Sequence, residues 1–160
     1  MANALTEQGW SALKIGDEIG YSNWLTVDQQ LLDQFGSATL DDDPMHLDPE
    51  WAKETGPFGG TIAFGFWTMS TLTHFFHEAS GTVASRVPSK EGYYLNYGMD
   101  RLRLITPVPV GSRIRGHFKV ANVRKDEKNR TLVTFDAKIE IEGVERPALV
   151  AKWLSIWVRP

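Results

Sequence analysis

The chain has 160 residues, a formal net charge of −3, no cysteine and 42% hydrophobic residues, with six tryptophans and eight phenylalanines among them. That length suits a single domain, residues 1–160, with a substantial core. The composition excludes a disordered chain, a disulfide framework, a thiolate zinc site and a cysteine nucleophile, and the acidic balance argues against nucleic acid as the main partner.

The aromatic content is more than one small monomer easily hides, so a homodimer is expected. No basic segment followed by a long apolar run opens the sequence, and no stretch is long enough to span a bilayer. The expectation is a cytoplasmic protein with no membrane partner.

In chain order, the first twenty residues carry little pattern beyond a lead-in helix and a turn ending in Ile15-Gly16-Asp17-Glu18-Ile19-Gly20. Tyr21-Ser22-Asn23-Trp24-Leu25 reads as a short strand, and Thr26-Val27-Asp28-Gln29 has the form of a capping box opening a helix. Val27, Leu31, Leu32 and Phe35 fall on one face of that helix, which Gly36 helps to end. An acidic loop follows, Asp41-Asp42-Asp43-Pro44-Met45-His46-Leu47-Asp48, and Asp48-Pro49 then supplies an N-cap and a first-turn proline for another helix. Gly56-Pro57 ends it, and Gly59-Gly60 leads into a helix from Phe64 to Ala79. Phe64, Phe66, Trp67, Met69, Leu72, Phe75, Phe76 and Ala79 lie all round that helix, which places it inside the protein.

Residues 81–92 form a polar loop, and four strand-like runs follow at 93–105, 113–123, 131–142 and 148–157. A turn centred between Glu127 and Lys128 sets Ile114 against Ile141, Gly116 against Ile139, Phe118 against Ala137 and Val120 against Phe135. On the opposite face the same register sets Arg113 against Glu142, Arg115 against Glu140 and Lys119 against Asp136. One register thus satisfies both the apolar alternation and the cross-strand charges. Helices followed by such a meander predict an α+β domain, an antiparallel β-sheet wrapped around a long buried central helix.

The chemistry-bearing residues concentrate in the acidic loop. Taken alone, Asp41 and His46 fit a functional pair and a polar loop whose carboxylate caps backbone groups about equally. Asp48 reads as an N-cap and Asp42 as solvated. The spacing does not fit an EF-hand, because Met45 and His46 occupy the fifth position and the glycine position, so no metal is expected. His74 and His77, three apart on a helix, have no evident third ligand.

The run Thr39-Leu40-Asp41-Asp42-Asp43-Pro44-Met45-His46-Leu47-Asp48, with Ile62-Ala63-Phe64-Gly65 after it, resembles the signature of the MaoC-like hydratases. These are hot-dog proteins related to (R)-specific enoyl-CoA hydratases, with the motif Ser/Thr-Gly-Asp-x-Asn-Pro-x-His-x-Asp and a later Ile-x-His-Gly. Asn96-Tyr97-Gly98, Pro107-Val108-Pro109-Val110-Gly111 and the run from Pro147 to Leu154 extend the resemblance over most of the chain after about residue 14, closer to the nodulation-protein-N-like branch. The resemblance implies that Asp41 and His46 activate water and manage the proton while the Gly65 N–H binds the thioester oxygen. It implies an acyl-CoA or other acyl-thioester substrate and no cofactor. Asp43 and Phe64, at motif positions, and Thr73, on the buried helix, are the candidates for substrate contact. Three positions depart from the motif: Leu40 stands for glycine, Asp43 for asparagine and Phe64 for histidine. A hot-dog thioesterase, for which only Glu78 offers a helix carboxylate, and a non-catalytic acyl-thioester binder are the competing readings. Arg113, Arg115 and Lys119 are expected to form a solvated charge ladder, leaving Arg101, Arg103 and Lys90 as candidates for coenzyme phosphates.

Overall fold

A computed structural model describes residues 12–82 and 92–158. Most of the expected lead-in helix, and Lys90, lie outside the described residues. Strands β1 (Glu18–Tyr21) and β2 (Leu25–Thr26) precede three helices, α1 (Gln29–Thr39), α2 (Pro44–Leu47) and α3 (Pro49–Glu54). Two more helices follow, α4 (Gly65–Ser70) and α5 (Leu72–Ser80), then β3 (Tyr93–Leu104), β4 (Arg113–Lys125), β5 (Thr131–Ile141) and β6 (Leu149–Val158). The strands form one antiparallel sheet in the order β1-β4-β5-β6-β3, with β2 also on β4. The sheet wraps α4 and α5 in the α+β hot-dog arrangement. No helix among the described residues is long and apolar enough to cross a membrane.

The expected register between β4 and β5 is present from Ile114↔Ile141 to Val120↔Phe135. Alternation along β4 and β5 puts Ile114, Phe118, Val120, Val133, Phe135, Ala137 and Ile139 in the core, joined from β6 by Leu149, Ala151 and Trp153. The outward charges pair as expected at Arg113–Glu142 (2.9 Å) and Arg115–Glu140 (3.0 Å). The Arg115 guanidinium also lies over the rings of Tyr21 and Trp24. Lys119 faces Asp136 across the strands, but that carboxylate pairs with Lys152 of β6. Beyond Val120 a β-bulge shifts the pairing to Asn122↔Thr134, so the hairpin turns one half-step later than the sequence register predicts.

Four local expectations need correction. The segment from Tyr21 to Leu25 is not one strand: Ser22 leaves the ladder, its N–H bonding to Gly116 O and its hydroxyl accepting from Gly116 N–H, so the edge splits into β1 and β2. The cap of α1 is Asp28, accepting from Leu31 N–H at 2.9 Å, while Thr26 belongs to β2. Gly36 does not end α1, which runs on to Thr39 and closes at Leu40 in the left-handed region, φ 59°. Finally, the central helix is interrupted at Thr71 and not wholly buried, with Phe66 73% exposed. Thr68, Ser70 and Thr71 turn their hydroxyls back onto carbonyls of Phe64, Trp67 and Thr68, which competes with the regular ladder there.

Gly36 has a different task. A Cβ on it would stand 2.8 Å from the Asp41 carbonyl oxygen and 2.9 Å from Leu47 Cδ1, so its missing side chain lets the acidic loop fold down on α1. Gly36→Ala is expected to lower stability by about 1–3 kcal/mol, because backbone as well as side chain must shift. Urea denaturation of the variant beside wild type measures it; an unchanged midpoint would mean that the loop does not rest on Gly36.

Candidate active site

The acidic loop is built by two successive caps. The Asp43 carboxylate accepts from Met45 N–H at 2.9 Å and starts α2, and Asp48 accepts from Trp51 N–H at 2.9 Å and starts α3, each with proline at the first helical position. Asp48 is thus the N-cap expected of it. Asp43 does in this loop what an asparagine oxygen would also do. Leu40 takes a left-handed conformation that a glycine adopts without strain, which fits the motif's preference for glycine at this position.

His46 sits on α2, half-buried, with Nδ1 2.8 Å from the carbonyl oxygen of Ile62. A carbonyl only accepts, so Nδ1 carries a proton, and in the neutral imidazole the lone pair is then on Nε2. The imidazole lies against the ring of Phe64, 4.0 Å between centroids, and Phe64 in turn packs on Phe35. Backbone and side chain frame the arrangement further. Ile62 N–H bonds to Met45 O at 3.2 Å, and the Gln29 amide donates to His46 O at 2.7 Å while accepting from the Thr61 hydroxyl at 2.7 Å.

His46 and Gly65 line one cleft of about 360 Å³, together with Met45, Ile62, Ala63, Thr68, Ala148 and the strand-end run from Leu104 to Val108. Gly65 opens α4, where the first-turn N–H groups have no partner within the helix, and no side chain caps them. A Cβ at Gly65 would run into Leu104 Cδ1, so glycine lets the Leu104 side chain pack close against the start of α4. The cleft offers an imidazole, a helix start whose first N–H groups lack intrahelical partners, and an otherwise mainly apolar wall. That combination suits an acyl group carrying a polarised carbonyl.

The other candidates fall elsewhere. Asp41 is exposed, accepts from Asp43 N–H at 3.4 Å, and lines a separate open depression with Asp33, Gly36, Ser37, Leu40, Asp42 and Leu47. Its carboxylate makes no hydrogen bond to His46 among the described residues. Asp43 is engaged as a cap, and Phe64, 2% exposed, stands behind the imidazole and does not line the cleft. Thr73 accepts a long bond, 3.4 Å, from Asn96 on β3, away from the cleft. Thr68 takes the place expected of Thr73. Its only sequence signal is its position three residues after Gly65, on the same helical face. In the sequence Leu104 to Val108 show a strand end and the start of the Pro107–Gly111 stretch of the family resemblance but no sign of a cleft wall, and Gln29 shows only as part of a cap.

His77 belongs to a separate cluster at the end of α5. Its Nε2 lies 2.5 Å from the Tyr94 hydroxyl and its Nδ1 3.0 Å from Thr82 Oγ1, which meets Ser80 Oγ at 2.7 Å. Burial pushes the Tyr94 phenol up to about 12, so it stays a donor and Nε2 the acceptor. Burial likewise holds His77 below its ordinary value of 6.5, the Thr82 contact opposing and His74 reinforcing the shift. Below pH 6.5 the unfolded chain therefore binds more protons than the folded one, and stability falls as pH drops from 6.5 toward the lowered value. Urea midpoints taken between pH 8 and pH 5 should decline over that window, and less steeply in His77→Gln; equal slopes would contradict the assignment.

One antiparallel sheet wrapped on α4 and α5, with an imidazole and a glycine-opened helix start sharing a cleft, defines the class of the fold, a hot-dog protein. Within that class, residues 11–142 match the MaoC like domain, and the chain belongs to the MaoC-like family of hydratases and dehydratases. It is 40% identical over 143 residues to nodulation protein N of Rhizobium leguminosarum bv. viciae, covering 89% of this chain and 86% of that one. It is 35% identical over 147 residues to 3-hydroxyacyl-thioester dehydratase Z of Mycobacterium tuberculosis (strain CDC 1551 / Oshkosh), covering 92% and 93%. The fold superposes on the (R)-hydratase from A. caviae involved in PHA biosynthesis with a TM-score of 0.72, at 19% identity, over 93% of this chain and 98% of that one.

Proposed function

We propose that the protein interconverts a 2-enoyl-CoA, or a related acyl thioester, and the (R)-3-hydroxyacyl form. The observation that carries this reading is that an imidazole held through Nδ1 on the Ile62 carbonyl shares one cleft with Gly65, whose N–H opens α4. His46 Nε2 takes a proton from water and the oxygen adds to C3 of the enoyl chain. The C2–C3 π pair moves toward the thioester, whose oxygen gains negative charge against the Gly65 N–H. The proton on His46 is then delivered to C2, which restores the base. Asp41, the second proton carrier that the family motif suggests, lines the neighbouring depression, so the larger share of the proton transfer is assigned to His46. The dehydratase among the relatives supports this reaction class.

The reading extends to a homodimer. β3 pairs only with β6 among the described strands, and its free edge presents Tyr93, Leu95 and Tyr97, each about half exposed or more. A second copy is the partner we assign to that edge, and sedimentation at micromolar concentration tests it: a monomer overturns it.

Glu78, the only carboxylate that the thioesterase reading has on the helix, accepts from the N–H and amide of Asn23 and lies outside the cleft lining, which leaves hydration favoured. Mixing the protein with 2-enoyl-CoAs of increasing chain length, while following both loss of the conjugated double bond and release of free thiol, separates the two. Hydration without thiol release is expected; thiol release from saturated acyl-CoAs would reverse the assignment.

A further inference from the structure

His46 stands on a helix of four residues, none of them buried, too short to fix a side chain by its own ladder. The ring's position therefore depends on what holds α2 against the Thr61-Ile62 segment that supplies its acceptor. The side chain that touches both is Gln29, the first residue of α1. Its Nε2 donates to His46 O at 2.7 Å and to Asp33 Oδ1 at 2.9 Å, and its Oε1 accepts from Thr61 Oγ1 at 2.7 Å. Thr61 is buried and immediately precedes Ile62, whose carbonyl accepts from His46 Nδ1. One amide thus clamps the backbone of His46 to the residue next to the acceptor of its ring.

We infer that Gln29 is a positioning residue for His46, holding the imidazole and the Ile62 carbonyl in register so that the neutral ring keeps its proton on Nδ1 at the wall of the cleft. The inference rests on the reading of His46 as the base. The geometry also fixes the chemistry of the clamp. His46 O and the Asp33 carboxylate both require a donor and the Thr61 hydroxyl, placed to donate, requires an acceptor; a primary amide supplies two N–H groups and one oxygen. A carboxylate of the same shape keeps the Thr61 bond but sets lone pairs against the His46 carbonyl and a charge against Asp33. A thioether of similar length keeps the volume and loses all three bonds. Displacing a catalytic group by a fraction of an ångström to an ångström is enough to lower turnover without touching substrate binding.

The experiment uses Gln29→Glu, Gln29→Met, Thr61→Val and Thr61→Ser in the full chain. Imidazole ¹⁵N NMR of the ligand-free protein, with His46 assigned by the His46→Gln spectrum, is read beside kcat and KM for enoyl-CoA hydration. Expected are a shift of the His46 nitrogens away from the Nδ1–H tautomer in both Gln29 variants and a kcat lower by about tenfold to a hundredfold at similar KM. Thr61→Val should follow in the same direction, and Thr61→Ser should restore what it loses. Unchanged His46 signals and unchanged kcat, with only a lower melting temperature, would reduce Gln29 to a structural tie and overturn the inference. Because the NMR readout needs no turnover, a protein that fails to hydrate enoyl-CoA contradicts the proposed reaction while still testing the clamp.

Discussion

Replacing His46 by glutamine is expected to lower kcat for enoyl-CoA hydration at least about a hundredfold, the lower end of what general acid–base catalysis contributes. Glutamine can still donate to Ile62 O, so α2 keeps its seat, but it offers no nitrogen lone pair of comparable basicity to the cleft. The loss should therefore appear in kcat with little change in KM or in melting temperature. Asp41→Asn should cost less, because Asp41 lines the neighbouring depression and not the cleft. Equal losses in the two variants would mean that the acidic loop closes over the cleft during turnover and brings the carboxylate to the reacting atoms. Wild-type turnover in His46→Gln would remove the imidazole from the chemistry altogether.

The largest effect on stability is expected from Phe76→Ala, a loss of about 3–5 kcal/mol. Phe76 is fully buried on α5 and meets Phe118, Phe135 and Trp153 of three successive strands at ring separations of 5.3, 4.9 and 5.4 Å. Its edge-to-face contacts with Phe118 and Trp153 join the helix to the middle of the sheet. A cavity there cannot collapse easily, because Gly116 already brings β4 so close that a Cβ on it would stand 2.6 Å from Phe75 Cβ. Urea denaturation gives the loss directly. A change below about 1 kcal/mol would mean that the core repacks around the gap, against the close fit described above.

The sheet was the most legible part of the sequence because two independent constraints act on β4 and β5. Apolar residues must alternate inward while Arg113 and Arg115 meet Glu142 and Glu140 outward, and one register satisfies both. The bulge after Val120 escaped because neither constraint reaches it: beyond Lys119 the outward face carries no further opposite-charge pair to reveal a one-residue slip. Gly36 hides its role for a different reason. A helical glycine near a polar run looks like a stop, and only the fold shows that the Asp41 carbonyl rests on it.

At the site, the motif spacing brought His46 and Gly65 into view, and the chain places them on one cleft. It said less about Asp41, because five residues of separation across a proline turn do not fix which side of the loop a carboxylate faces. Gln29 left no readable signal. Apart from the bond to Asp33 one turn on, its bonds reach 17 and 32 residues along the chain, to a backbone carbonyl and a threonine, and side-chain contacts of that kind have no period. Thr68 and Leu104 were hidden in the same way, since each becomes a wall of the cleft only when the strand end folds against α4.

The most direct test of the proposed reaction is the stereochemistry of the product formed from crotonyl-CoA and longer 2-enoyl-CoAs. Chiral separation of the hydroxyacyl chains after limited turnover should give the (R)-3-hydroxy product from wild type and almost none from His46→Gln. The (S) product, or no hydration at any chain length by the folded protein, would contradict it.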